Sequence, residues 1–208
     1  MWLKRLLGRS AAKAAVPEDR EKSLPLLVVG LGNPGATYAR QRHNVGFMVI
    51  AELARRHGVA VTERKKQALL GAGVIGGRRV ILAMPQTGMN GSGKSVQALR
   101  EFYQLPPERV MLVYDDIDLP FGRVRVRPNG SAGGHHGLES IFALTGTINY
   151  PRVRIGIGRP ATRDEVIDFV LSPFHPSEQA EAEAAIAAAA DAVERWIASG
   201  TGDEGTMG

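Results

Sequence analysis

The sequence predicts one α/β domain built on a twisted, mixed (mostly parallel) sheet flanked by helices. Three observations lead there. Short apolar runs alternate along the chain with segments whose apolar residues recur at helical spacing. The first run, LPLLVVGLG (24–32), is apolar without a break, as a strand covered on both faces must be. Between these elements lie four polar, glycine-bearing loops spread over the whole chain, where an open α/β sheet collects its functional groups. At 208 residues, 44% hydrophobic and 23% charged, the chain can bury one sizeable core.

Each element has its own signal. After the first strand and a Gly/Pro/Asn loop, NVGFMVIAELARRHG has helical periodicity from Asn44 and stops at Gly58. ALLGAGVIGGRRVILAMP reads as two strands joined at Gly76-Gly77. SVQALREFYQL is a short amphipathic helix ended by Pro106-Pro107. RVMLVYDD is a buried strand, and GRVRVRP alternates as a strand with arginine on one face. A glycine-rich loop, a helix near 137–145 and the strand RVRIGIG (152–158) follow. RDEVIDFVLSPF gives a small helix and 176–198 a long Ala/Glu-rich one.

The charge balance, +5 with a pI near 9.8, points to a polyanionic partner. Without cysteine there is no disulfide or thiolate chemistry, and no apolar run of about 18 residues is present to span a membrane. The domain is expected over 23–199. Residues 1–22 read as a flexible basic extension and 200–208 as a flexible tail. The extension has no apolar core of a secretory signal; its Arg, Ser and scarce early acids also fit an organelle transit peptide. A cytoplasmic monomer is the expectation.

Two nucleotide motifs need weighing. GLGNPG (30–35) fits G-x-G-x-x-G directly after a strand, but helical periodicity begins about eight residues late and no acid closes a second strand. GMNGSGKS (88–95) fits the phosphate loop G-x-x-x-x-G-K-[ST], and VMLVYDD downstream could supply a magnesium-binding Asp. Yet about sixty residues of core precede this loop. Gly, Ser and Lys are also common at any helix N-terminus, where free N–H groups need partners.

A different set of residues explains all four loops. His43 opens a helix, and Asp115 ends a buried strand where a carboxylate could hold an imidazole in one tautomer. Asn33 and Asn90 lie on neighbouring strand-end loops and offer neutral donors for a carbonyl or a developing oxyanion. No Ser or Cys nucleophile has an activating context, and no His/carboxylate cluster has metal spacing. The simplest chemistry is a His-activated water attacking an ester or amide carbonyl.

These residues lie in an ordered motif set: VVGLGNPGATYARQRHNVG, MPQTGMNGSGKSV, VYDDIDLPFGRVRVR, GGHHGLESI and RVRIGIGRP. The set resembles that of bacterial-type peptidyl-tRNA hydrolases, from about Leu26 to the long last helix near Trp196. The resemblance implies a single α/β domain without metal or nucleotide cofactor. It implies hydrolysis of the ester joining a peptide to the 3′ end of tRNA. By that resemblance His43 is the general base and Asp115 orients it, while Asn33 binds at the ester and Asn90 positions the peptide carbonyl and water. Tyr38 lies near the tRNA 3′ end, Met89 walls the cleft, and Arg127 with Arg154 clamps the 5′-phosphate. Taken singly, each arginine is also an ordinary solvated strand-face residue.

The chain departs from the family pattern at two places. An aromatic residue commonly stands where this sequence has Gly88, which implies a more open cleft wall. Asn commonly stands at the position of His136, which places its water or tRNA contact on a titratable ring; His135 beside it matches the family and reads as structural or cleft-lining. Two other functions compete: a non-hydrolytic RNA-binding relative of the intron-splicing type, and a phosphate-loop NTPase.

Overall fold

The computed structural model describes residues 24–199; the expected extension and tail lie outside them. The seven strands among these residues are β1 (Leu26–Gly30), β2 (Glu63–Lys65), β3 (Ala68–Ile75), β4 (Arg78–Pro85), β5 (Val110–Asp116), β6 (Val124–Arg127) and β7 (Arg152–Gly156). They form one sheet in the order β2-β3-β4-β1-β5-β7-β6. Its centre, β4-β1-β5-β7, is parallel, and the outer pairs β2–β3, β3–β4 and β6–β7 are antiparallel. The mixed α/β sheet expected from the sequence is therefore the fold.

The helices are α1 (Val45–His57), α2 (Ser92–Tyr103), α3 (His136–Thr145), α4 (Val166–Leu171) and α5 (Gln179–Ser199). β1 shows why its sequence lacks alternation. Leu26 and Val28 join the core under α1 and α5, while Leu27 and Val29 join the core under α2 and α3. The alanines of α5 follow from close packing: Ala182, Ala185, Ala189, Ala190 and Ala192 are all buried.

Two elements differ from the sequence expectation. α2 starts at Ser92, three residues before the periodic run, because Met89–Gly91 already forms a 3-10 turn that feeds into it. β2 has no apolar alternation to announce it; its residues Glu63, Arg64 and Lys65 are paired with β3 through backbone hydrogen bonds alone.

The loops after β1, β4 and β5 leave at one end of the parallel centre, so their polar residues converge. A close backbone contact brings α1 up to that end. A Cβ on Gly46 would lie 2.4 Å from the Val113 carbonyl oxygen, and one on Gly30 would lie 2.3 Å from the Gly46 carbonyl oxygen. With glycine at both, the first turn of α1 sits directly on β1 and β5, next to Asp115.

Candidate active site

His43 lies in the 3-10 turn Arg42–Asn44 that leads into α1, and Asp115 is near the end of β5. The His43 Nδ1 is 2.9 Å from each Asp115 carboxylate oxygen. Asp115 is 3% exposed, and its Oδ1 also lies 3.3 Å from Nε2 of His135. Burial would raise the carboxyl group's pKa, but the hydrogen bonds from the two histidines, and their positive charge once acid protonates them, outweigh it and hold Asp115 well below the usual carboxylate range. An ionised carboxylate only accepts, so both facing ring nitrogens carry protons. His43 is thereby fixed with Nδ1–H on Asp115 and its Nε2 lone pair on the other edge of the ring, in the cleft that His43 lines.

His135 is fixed as firmly. Its Nδ1 accepts the Leu138 backbone N–H at 3.3 Å and so caps α3, which leaves the proton on Nε2, aimed at Asp115. The ligand-capable atoms of His43, Asp115 and His135 lie within 4.8 Å of one another, a grouping that could suggest a metal. A metal on the His135 Nε2 would move its proton to Nδ1, straight against the Leu138 N–H. The cap therefore favours two hydrogen bonds over a ligand set.

Asn33 and Asn44 lock the loop after β1 to the turn before α1. The Asn33 N–H donates to Asn44 Oδ1, and Asn44 Nδ2 donates to the Asn33 carbonyl, both at 2.9 Å. The Asn33 side-chain oxygen is taken by the Met89 N–H at 2.8 Å, so its amide nitrogen is the end left for the cleft. Met89 is buried beneath this contact, whereas Asn90 is exposed at the cleft.

These side chains open onto a cleft of about 930 Å³, and it brings together Asn33, His43, Met89, Asn90, Asp115, Arg127, His136 and Arg154. Tyr38 is not among its lining residues; it stands 40% exposed in the turn Ala36–Tyr38. Arg154 is not a lone cation, since its Nε donates to Asp116 at 2.6 Å. That pairing raises its pKa against the opposing effect of burial. Arg127 is exposed and stands across the strand pair from the buried Arg152, which donates to the carbonyls of Tyr150, Ser131 and Ile148.

Sequence reading missed three features at or beside the site. Arg125 is directly opposite Arg154 in the β6–β7 register and shares its face, although it is Arg127 that lines the cleft; the R-x-R-x-R alternation contains that signal, but only pairing shows which residue is opposite. The second donor to Asp115, His135, depends on the α3 cap. The third is an apolar wall from α4, where Val166, Ile167, Val170 and Leu171 line the cleft and Ile167 stays 64% exposed.

That wall is stapled next to His43. Arg42 is buried with its guanidinium over the rings of Phe169 (4.4 Å) and Phe174 (4.9 Å), and it pairs with Glu178 at 2.5 Å. The Arg42 N–H donates to the Ser172 carbonyl at 2.9 Å, and Gln41 bridges to Pro173.

The phosphate-loop reading fails in the structure. The Gly93 N–H that would face a phosphate donates to Ser140 Oγ, and the Ser95 hydroxyl that would face magnesium donates to the Lys66 carbonyl. The GLGNPG reading fails as well, because Gly35 opens a 3-10 turn and α1 begins only at Val45.

Comparison with known proteins assigns the chain to a family. The family model described as peptidyl-tRNA hydrolase matches residues 27–207. The peptidyl-tRNA hydrolase of Roseiflexus sp. (strain RS-1) is 49% identical over 175 residues, covering 84% of this chain and 81% of the relative. That of Carboxydothermus hydrogenoformans is 50% identical over 167 residues, covering 80% and 89%. The crystal structure of peptidyl-tRNA hydrolase from Acinetobacter baumannii superposes with a TM-score of 0.78 at 39% identity, over 83% of this chain and 88% of that one. With its fold, its ordered motifs and these relatives in agreement, the chain belongs to the peptidyl-tRNA hydrolase family.

Proposed function

We propose that this protein cleaves the ester between a peptide, or an N-blocked aminoacyl group, and the 3′ end of tRNA, releasing the tRNA for reuse. The observation that carries the reading is the fixed His43 tautomer, with Nδ1 on a buried carboxylate and Nε2 at the cleft. The Nε2 takes a proton from water as the water oxygen attacks the ester carbonyl carbon. The resulting imidazolium faces Asp115, which stabilises it. When the tetrahedral intermediate collapses, the bond to the ribose oxygen breaks and that oxygen receives the proton from Nε2. The products are a free peptide carboxyl and a ribose hydroxyl.

The Asn33 amide N–H and the Asn90 side chain steady the carbonyl and the water. His136, exposed at the start of α3, takes the water or tRNA contact that an asparagine could make with either end of its amide. Tyr38 meets the 3′ end outside the cleft proper. Arg154 binds the 5′-phosphate with its cross-strand neighbour Arg125 and with Arg127 further along the strand. The working unit on this reading is a single chain in the cytoplasm, because one chain supplies every group named. No helix among the described residues is long and apolar enough to cross a membrane.

The test is release of N-acetylaminoacyl groups from tRNA by wild type and by His43→Ala. The variant is expected to lose at least about 100-fold in kcat while still binding deacylated tRNA. Equal rates would remove the hydrolase reading and favour a protein that binds RNA without cleaving it.

A further inference from the structure

Gly88 is one of four glycines of the cleft wall with positive φ; Gly130, Gly133 and Gly134 lie on the loop before α3, whereas Gly88 lies against Asn33. The Gly88 φ of 71° and ψ of 164° fall in a region open essentially to glycine, where another residue costs about 1–3 kcal/mol. The turn needs this conformation: Gly88 precedes the 3-10 turn Met89–Gly91, and its carbonyl accepts the Gly91 N–H at 3.1 Å. It also aims the Met89 N–H at Asn33. Space is not the constraint. A Cβ built on Gly88 would meet only the Asn33 side-chain oxygen, at 3.7 Å, with nothing else within 4 Å apart from its chain neighbours.

We infer that Gly88 sets substrate size: the bare backbone at this position leaves a recess over Asn33 that admits the side chain of the peptide's last residue, the one esterified to tRNA. The inference rests on the function proposed above. Its geometry follows from three neighbours in the cleft. Asn33 presents its amide nitrogen there, and His43 and Asn90 line the same space, so the reacting carbonyl lies among them. The substituent on the adjacent α-carbon then falls within one residue's breadth of the carbonyl, where Thr87, Gly88 and Met89 form the wall. Met89 is buried and fixed, so the volume on offer is the volume that a side chain at 88 would fill. A large esterified residue such as phenylalanine gains contact with this wall, whereas glycine gains none.

The experiment compares kcat/KM on tRNA carrying N-acetylphenylalanine and N-acetylglycine. For Gly88→Phe the Phe-to-Gly ratio is expected to fall by about 10-fold or more relative to wild type. Gly88→Ala carries the same backbone strain without the bulk, so it is expected to keep the wild-type ratio. A ratio within twofold of wild type in Gly88→Phe overturns the inference. So does an equal fall in Gly88→Ala, which would assign the effect to strain. If Gly88→Phe does not fold, titration of wild type with N-acetylphenylalaninamide and N-acetylglycinamide decides the matter by backbone amide NMR. The first is expected to shift the Gly88 and Met89 resonances and the second to leave them in place; equal shifts, or none from either, overturn it. Selective shifts in a wild type that cleaves neither ester would sink the proposed reaction while leaving the recess intact.

Discussion

At the scale of single residues, the site depends on one carboxylate shared by two rings. Asp115 accepts from His43 and from His135, so exchanging it for asparagine replaces an acceptor with a group that must present an N–H to one of the two. Asp115→Asn is therefore expected to lower kcat by about 100- to 10,000-fold, with tRNA affinity within about twofold of wild type. Filter binding of deacylated tRNA beside the hydrolysis assay measures both, and a parallel loss of binding would contradict the orienting role. His43 and Asp115 were legible in the sequence because each sits where a regular element ends, at a helix start and a strand end. The Asn33 amide orientation was not, since it is set by a backbone N–H 56 positions away. The place of His135 was equally hidden: a histidine in a glycine-rich loop gives no sign that it caps a helix with one nitrogen and braces a carboxylate with the other.

Among the elements, contact between α2 and α3 shows how the GKS run earns its residues. Within a helix, alanine is worth about 1 kcal/mol more than glycine, so Gly93→Ala would ordinarily stabilise. Here the added methyl would lie 2.1 Å from the Ser140 carbonyl oxygen and 2.6 Å from its carbon, on the backbone of a packed neighbour. Overpacking of this kind costs more than the propensity gains, and a net loss of about 1–3 kcal/mol is expected in urea unfolding. A rise in the midpoint would show that the helices separate easily. Periodicity located α1 and α3 within a residue, because each is amphipathic and ended by a left-handed glycine; α5 starts three residues later than expected, since Pro176–Glu178 forms a 3-10 turn ahead of it. Strand β2 stayed out of reach because a three-residue edge strand is specified by its partner and not by its own pattern.

At the scale of the whole molecule, Asp115 and Glu178 favour their charged form more in the folded protein than in an unfolded chain. Asp115 is held down by two histidines, and Glu178 is held down by its hydrogen bond to Arg42 against the opposing effect of burial. Both therefore titrate below the unfolded values near 4, and the native state binds fewer protons. The stability they contribute is complete above that range and is lost as pH falls through the native values. The double variant Asp115→Asn, Glu178→Gln is thus expected to lose stability less steeply than wild type between about pH 5 and 2, as read from urea midpoints. Identical slopes would place the acid sensitivity elsewhere. Position of α4 carries a mechanical consequence. One end of that wall is riveted beside His43 through Arg42, Ser172 and Pro173. The loop between β7 and α4 carries Arg159, which pairs with Asp118 at the exposed rim. Because the rivet and the cleft-facing ring are the consecutive residues Arg42 and His43 of one 3-10 turn, the apolar wall and that ring are set by a single piece of backbone, and neither can be repositioned without the other.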